Sequence, residues 1–438
     1  MKKKKRKIYQ IFLRMTLLTA TLLLSLILIN TAYRVLTDTS KNSTRSVLSQ
    51  NSPDSRKEIP REEIRSIIQT VSDSESSNSS SSLSAESPSK TASEKESAKQ
   101  DSLDDENKSG QNASDSKNKD SRSSEKTADT TLVFAGDVYF SDYVLANYNQ
   151  SGIQGVLSES LLKELTKADI TMVNHEFPFS TRGSQAPDKQ FTFRTDPSYV
   201  SILKESGTDV VSLANNHVLD YGTDALSDTF QTLDEAGISY AGAGDSIERA
   251  SRLITKKANG KTFGFLAASR VFPVVSWNVE NAQPGVFSAY DPARLTAAVS
   301  DAKKHCDFLC VYLHWGIERN TTPEQYQISM AHAFIDAGAD AVIGAHPHVL
   351  QGVEYYNGKP IFYSLGNFIF YQTIEQTAIA KLTLRADNTA VWQLLPAKAS
   401  NACTSLITDA AACSEFYQRM EELSVNTKFT KKGKVLPE

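Results

Sequence analysis

Thr131-Leu-Val-Phe-Ala-Gly-Asp137 is the stretch whose reading decides the fold. Its apolar and small residues run without a break and then stop at an acid. A short continuous apolar run ending in polar residues reads as a buried strand. The same event recurs down the chain. Residues 170–173 run into Asn174-His175-Glu176, and 209–213 into Ala214-Asn215-Asn216-His217. Residues 307–313 run into His314-Trp315-Gly316, and 341–343 into Gly344-Ala345-His346-Pro347-His348. Residues 360–364 run into Leu365-Gly366-Asn367-Phe368, and 262–267 form one more strand. Helical patterns fall between them, at 156–167, 197–205, 225–236, 292–304 and 324–337. This alternation predicts an α/β domain with helices on both faces of its sheets. Side chains at strand carboxyl ends gather along one sheet edge, where ligands bind. Asp137, Glu176, Asn216, His217, His314, His346, His348 and Asn367 are therefore expected to share a site.

The chain has 438 residues, of which 22% are charged and 40% hydrophobic, with a net charge of −4. No basic domain stands out, which argues against a nucleic-acid partner. Four cysteines are too few for a disulfide scaffold. Cys403 and Cys413 bracket a short loop, where a disulfide is expected outside the cell. Cys306 and Cys310 are expected to be small buried hydrophobes.

The first 129 residues read differently from the remainder. Lys and Arg fill positions 2–7, and an apolar run follows at 15–35. About 20 apolar residues suffice to cross a bilayer as a helix, with the basic flank in the cytoplasm. The expectation is a single-pass membrane anchor with the folded domain outside the cell. Residues 36–129 are rich in Ser, and the stretch 72–124 holds two Leu and no Ile, Val or Phe. Such a segment cannot offset its chain entropy by burial and is expected to be a disordered linker. The domain proper is placed at 130–375, and 376–438 supplies strands and a helix that complete it. The basic end at 428–434 is expected to fray.

Five of the seven histidines, His175, His217, His314, His346 and His348, lie at or beside the strand ends. Carboxylate, amide oxygen and imidazole together suit Mn, Fe or Zn. Asp137, Glu176, Asn216, His314, His346 and His348 are the expected ligands, with Glu176 able to bridge two ions. Two ions about 3.5–4 Å apart can activate a water and stabilise a phosphoryl transfer. His217, with Asp220 three residues on, is the expected acid or base. His175 faces away from Glu176 by strand alternation and is expected to be structural. His305 and His332, on helical faces, are expected to be structural too.

These motifs, with Gly136-Asp137, Gly242-Ala-Gly244, Asp336-Ala-Gly-Ala-Asp340 and His314-Trp-Gly-Ile-Glu318, resemble the signature series of the CapA family. Those are poly-γ-glutamate capsule biosynthesis proteins, and the match runs in order from Thr131 to Tyr371. The family is similar to calcineurin-like metallophosphoesterases. The resemblance implies a four-layer α/β/β/α sandwich around one or two divalent metal ions. It implies one ion held by Asp137, Glu176 and His348, and another by Glu176, Asn216, His314 and His346. It gives His217 the leaving-group proton, with Asp220 orienting it. The sequence departs from the phosphoesterase Asp-x-His motif at Asp137-Val138-Tyr139, which leaves the first ion fewer protein ligands. The implied partners are a polyanionic surface polymer and a membrane synthesis or export complex. Arg194, Arg270 and Arg319, with Glu318 and Asn367, are assigned to polymer contact. Two other readings are hydrolysis of cell-envelope phosphodiesters and a non-catalytic polymer-binding module.

Overall fold

Period-two alternation along the central strands sorts their side chains into two cores. In the computed structural model, Phe263, Phe265, Cys310, Tyr312 and Ile343 belong to one core. Their neighbours Leu266, Leu309, Val311, Leu313 and Val342 belong to the other. That split is what a sheet covered on both faces requires.

The structure describes residues 128–279 and 283–438. The basic cluster, the apolar run and the Ser-rich linker lie outside the described residues. No helix among the described residues is long and apolar enough to cross a membrane.

The first half of the chain runs β1 (Thr130–Val138), α1 (Asp142–Ser151), α2 (Glu159–Thr166), β2 (Ile170–His175), α3 (Val200–Glu205) and β3 (Val210–Ser212). It continues through α4 (Gly222–Ala236), β4 (Ser239–Ala241), β5 (Ala243–Gly244), α5 (Ile247–Ala250), β6 (Ile254–Ala258) and β7 (Lys261–Ser269). Then come β8 (Gly285–Val286), α6 (Pro292–Ala302), β9 (Phe308–His314), α7 (Gln325–Asp336), β10 (Ala341–Ala345), β11 (Val353–Tyr356) and β12 (Lys359–Phe362). The last part holds β13 (Asn367–Ile369), β14 (Ile374–Leu384), β15 (Ala390–Ser400), β16 (Cys403–Leu406), α8 (Ala410–Leu423), β17 (Thr427–Phe429) and β18 (Lys434–Pro437).

Helix ends follow local chemistry. Ser158 caps α2 by accepting from Leu161 N–H, and Asp409 caps α8 by accepting from Ala412 N–H. Gly237 ends α4 in the left-handed region, at φ 75°.

One sheet has the order β17-β18-β15-β14-β1-β2-β3-β4, with β13 beside β1 and β16 beside β15. Its β1-β2-β3-β4 part is parallel. The other has the order β11-β12-β10-β9-β7-β6, with β12, β10, β9 and β7 parallel. The sheets meet face to face through Phe265, Phe134, Trp392 and Phe362, whose rings lie 5.2–6.5 Å apart in successive pairs. Tyr312 Oη of β9 donates to the Ala135 carbonyl of β1 at 2.6 Å. The fold is therefore mixed α/β. It sets the carboxyl ends of β1, β2 and β3 next to those of β9 and β10.

Two expectations fail. The basic end does not fray: Lys428 pairs with Leu436, and Val435 pairs with Trp392 of β15. Sheet pairing and the buried Val435 outweigh the charge of that segment. Cys403 and Cys413 are not joined; all four cysteines are thiols. Their sulfurs donate to different carbonyls, Gln154 and Ile407.

Candidate functional site

Parallel register sets the strand ends side by side. Asp137 of β1 lies opposite Asn174 of β2 and Asn367 of β13. The Asp137 carboxylate accepts from Asn174 Nδ2 at 2.8 Å and from the His346 N–H at 3.3 Å. Asn174 Nδ2 also lies 3.1 Å from Glu176 Oε1 and 3.2 Å from His314 Nδ1. His314 Nδ1 is 3.3 Å from Glu176, and its Nε2 is 2.8 Å from Asn216 Oδ1. The His346 ring sits 4.7 Å from that of His314 and 5.9 Å from that of His348. His348 Nδ1 lies 2.8 Å from Asn367 Oδ1 and 3.4 Å from Asp137 Oδ2. The six expected ligands and Asn367 therefore form one linked cluster.

The electrostatics follow from burial. Glu176 is fully buried beside Asp137, and both effects push its carboxyl well above the usual range. Burial holds His314 well below its ordinary value and takes His346 down to about 3. Burial alone would lower His348 too. The Asp137 hydrogen bond and the charges of Glu176 and Asp137 reverse that and raise it to about 9. His314 and His346 are thus held as neutral imidazoles, the form that ligates metals.

The donor set fits a divalent cation. Ligand atoms of Asp137, Glu176 and His348 lie within 4.8 Å of one another, as do those of Glu318, His346 and His348. Glu176 Oε2 and His346 Nδ1 are buried with no hydrogen-bond partner among the described residues. Buried polar atoms are seldom left so.

Beside the cluster, His217 Nδ1 lies 2.7 Å from Asp220 Oδ2. Asp220 also accepts from the Phe193 N–H at 2.7 Å. The Phe193 ring stacks on His217 at 4.1 Å, and Tyr139 stacks on Phe193 at 3.9 Å. Tyr139 belongs to this aromatic wall, and burial pushes its phenol up to about 12. His175 is buried against Phe177 and Phe179, away from Glu176. His332 is buried with its Nε2 3.0 Å from Glu354 Oε1.

The three arginines each stack on an aromatic ring. Arg194 lies over Tyr221, Arg319 over Tyr371, and Arg270 between Tyr290 at 4.4 Å and Tyr326 at 4.6 Å. The backbone N–H of Arg270 donates to the His314 carbonyl, and that of Arg319 to the Pro347 carbonyl. Both are thereby tied to the cluster, whereas the Arg194 guanidinium donates to the Arg182 carbonyl.

Sequence reasoning missed Asn174, Lys189 and Phe193. Strand alternation puts Asn174 on the same face as Glu176, so the rule that set His175 aside could have found it. Lys189 carries no comparable signal. It sits in an irregular loop, and only the tertiary fold pairs it with Asp220 and His217.

A family model described as "Bacterial capsule synthesis protein PGA_cap" matches residues 131–372. The PGA biosynthesis protein CapA of Bacillus subtilis (strain 168) is 34% identical over 269 residues, 60% of this chain and 70% of that protein. The capsule biosynthesis protein CapA of Bacillus anthracis is 31% identical over 313 residues, 69% of this chain and 74% of that protein. A solved structure of a hypothetical protein from Thermus thermophilus aligns over 63% of this chain and 96% of its own. Its identity is 17% and its TM-score 0.36.

Proposed function

The chain belongs to the bacterial capsule synthesis protein PGA_cap family, and from that premise we propose a membrane-anchored, outward-facing protein of poly-γ-glutamate biosynthesis, export or anchoring, with a cation-dependent, hydrolase-like site. Two facing sheets with helices outside them support the four-layer sandwich of the metallophosphoesterases. One observation carries the site: Asp137, Glu176 and His348 converge within 4.8 Å, beside the unpartnered Glu176 Oε2 and His346 Nδ1.

Asp137, Glu176 and His348 would hold one ion, and Glu176, Asn216, His314 and His346 would hold a second. A bound divalent ion supplies Lewis acidity and a more acidic water. The chain's own groups do the remainder. His217 carries a proton beside the cluster, Asp220 fixes its ring, and Phe193 shields one ring face from water. Arg270 and Arg319 present guanidinium groups that suit the carboxylates of a polyanionic polymer. The His217–Asp220 pair also favours a second reading, hydrolysis of envelope phosphodiesters.

The test pairs two measurements. Metal content is determined on detergent-purified full-length protein, wild type and His346→Ala. Surface polymer is quantified in cells carrying His217→Ala at the wild-type protein level. Bound Mn, Fe or Zn that is lost in His346→Ala, together with lost polymer, supports the proposal. Wild-type protein that binds none of the three, or polymer unaffected by His217→Ala, overturns it.

A further inference from the structure

Tyr139 stands where the phosphoesterase motif has a ligating histidine, and its ring is committed elsewhere. It stacks on Phe193 and packs edge-on to Phe177 and Phe370 at 5.9 and 5.5 Å. A phenol in that wall stays protonated and is a poor ligand.

The turn after β9 offers a carboxylate. Two backbone hydrogen bonds clamp the turn after β9 onto the turn after β10: Trp315 N–H to the Ala345 carbonyl at 3.1 Å, and Arg319 N–H to the Pro347 carbonyl at 2.8 Å. Gly316 makes the approach possible. Its φ is +91°, and a Cβ there would sit 3.1 Å from the Pro347 ring. Arg319, His346 and His348 hold φ values of 65°, 98° and 58°. Non-glycine residues keep such conformations only where their surroundings enforce them, and they gather at functional sites. The clamp brings the Glu318 carboxylate within 4.8 Å of ligand atoms of both His346 and His348. His346 contributes the second, independent sign: its ring is buried, and its Nδ1 has no hydrogen-bond partner among the described residues.

Resting on the cation-dependent reading above, we propose that Glu318 is a further cation ligand beside His346 and His348, in a cluster to which Tyr139 supplies none. With Asp137 and Glu176, the cluster then offers three carboxylates. Oxygen-rich sets of this kind suit Mn²⁺.

The experiment uses full-length protein in detergent, stripped with EDTA and titrated with Mn²⁺. Free Mn²⁺ is read by electron paramagnetic resonance. Wild type, Glu318→Gln, Glu318→Ala and Asp137→Asn are compared. Glu318 is exposed, so both of its variants should fold, and thermal melts of the stripped proteins verify this. Loss of an outer partner of a ligand costs about 10–100-fold in affinity. Loss of a direct ligand should cost at least as much, or a whole equivalent of Mn²⁺. If both Glu318 variants match wild type while Asp137→Asn binds more weakly, Glu318 is no ligand and the cation site still stands. If wild type itself binds no Mn²⁺, the Glu318 proposal falls, and the cation-dependent reading falls with it only when Fe²⁺ and Zn²⁺ also fail to bind.

Discussion

The ammonium of Lys189 lies 3.0 Å from Nδ1 of His217, the same ring nitrogen that Asp220 Oδ2 approaches at 2.7 Å. One nitrogen serves one partner at a time. Lys189 is ion-paired with the other oxygen of Asp220, which holds its charge against the ring. Burial lowers the His217 pKa most; Asp220 opposes that, and Lys189 adds to it. Replacing Lys189 with Met should therefore raise the His217 pKa, read from its ring resonances by NMR in chelator-treated protein. A titration identical to wild type would reduce the lysine to a structural role.

The second prediction concerns His348 and alkaline pH. Its folded-state pKa is about 9, against 6.5 when unperturbed. Between those values the native state binds more protons than the unfolded state, so stability falls as pH rises. Glu176, also raised, acts with the same sign above its ordinary range. For His348 the stability is fully present below pH about 6.5 and is lost as pH rises through about 9; the full shift is worth roughly 3 kcal/mol. Chelated wild-type protein should lose thermal stability across that window. His348→Asn should lose less, and a flat wild-type profile would refute the assignment.

Much of this cluster is legible in the sequence because strand ends are local. Asp137, Glu176, Asn216, His314 and His348 each follow an apolar run; register aligns them within each sheet, and the packing of one sheet on the other brings the two sets together. Lys189 and Phe193 are not legible. Both lie in a loop with no period, and their roles come from folding back onto the His217–Asp220 segment. The C-terminal pairing is hidden for a related reason. A Lys-rich stretch reads as solvated until the edge of β15 supplies a partner strand. Tyr139 reads as a poor ligand from its own chemistry, but nothing local announces Glu318 as a good one. That carboxylate reaches the histidines only through the clamp between two loops.

The third prediction is steric. A Cβ on Gly136 would lie 1.8 Å from the Gly366 carbonyl oxygen, which accepts the Asp137 N–H at 2.9 Å. Gly136→Ala must displace that backbone and the Asp137–Asn367 register beside it. Overpacking costs about 1–3 kcal/mol, and contact with main chain puts this case at the upper end or beyond. The urea midpoint should fall accordingly. A shift under about 0.5 kcal/mol, the range of ordinary surface changes, would contradict the contact.

The fourth prediction follows from the thiols. Cys403 and Cys413 donate to separate carbonyls, and Cys310 is buried in the sheet. Denatured, unreduced protein should titrate four thiols. A count of two, with the mass rising on reduction, would restore the 403–413 disulfide.

The last prediction separates shape from charge at Arg270. Its guanidinium lies between the rings of Tyr290 and Tyr326, close to His314 through the backbone. Stacking fixes the plane of the group and leaves its edge to meet a carboxylate in the bidentate manner. Lysine keeps the charge but has no plane to stack. Under the proposed function, Arg270→Ala should weaken binding of labelled poly-γ-glutamate about 3- to 10-fold, less than a buried charged hydrogen bond would give because the site is half exposed. Arg270→Lys should recover little of it. Fluorescence anisotropy at low and high salt reads both effects. Full recovery by lysine would mean that the polymer senses only net charge, and unchanged binding in both variants would remove Arg270 from the polymer path.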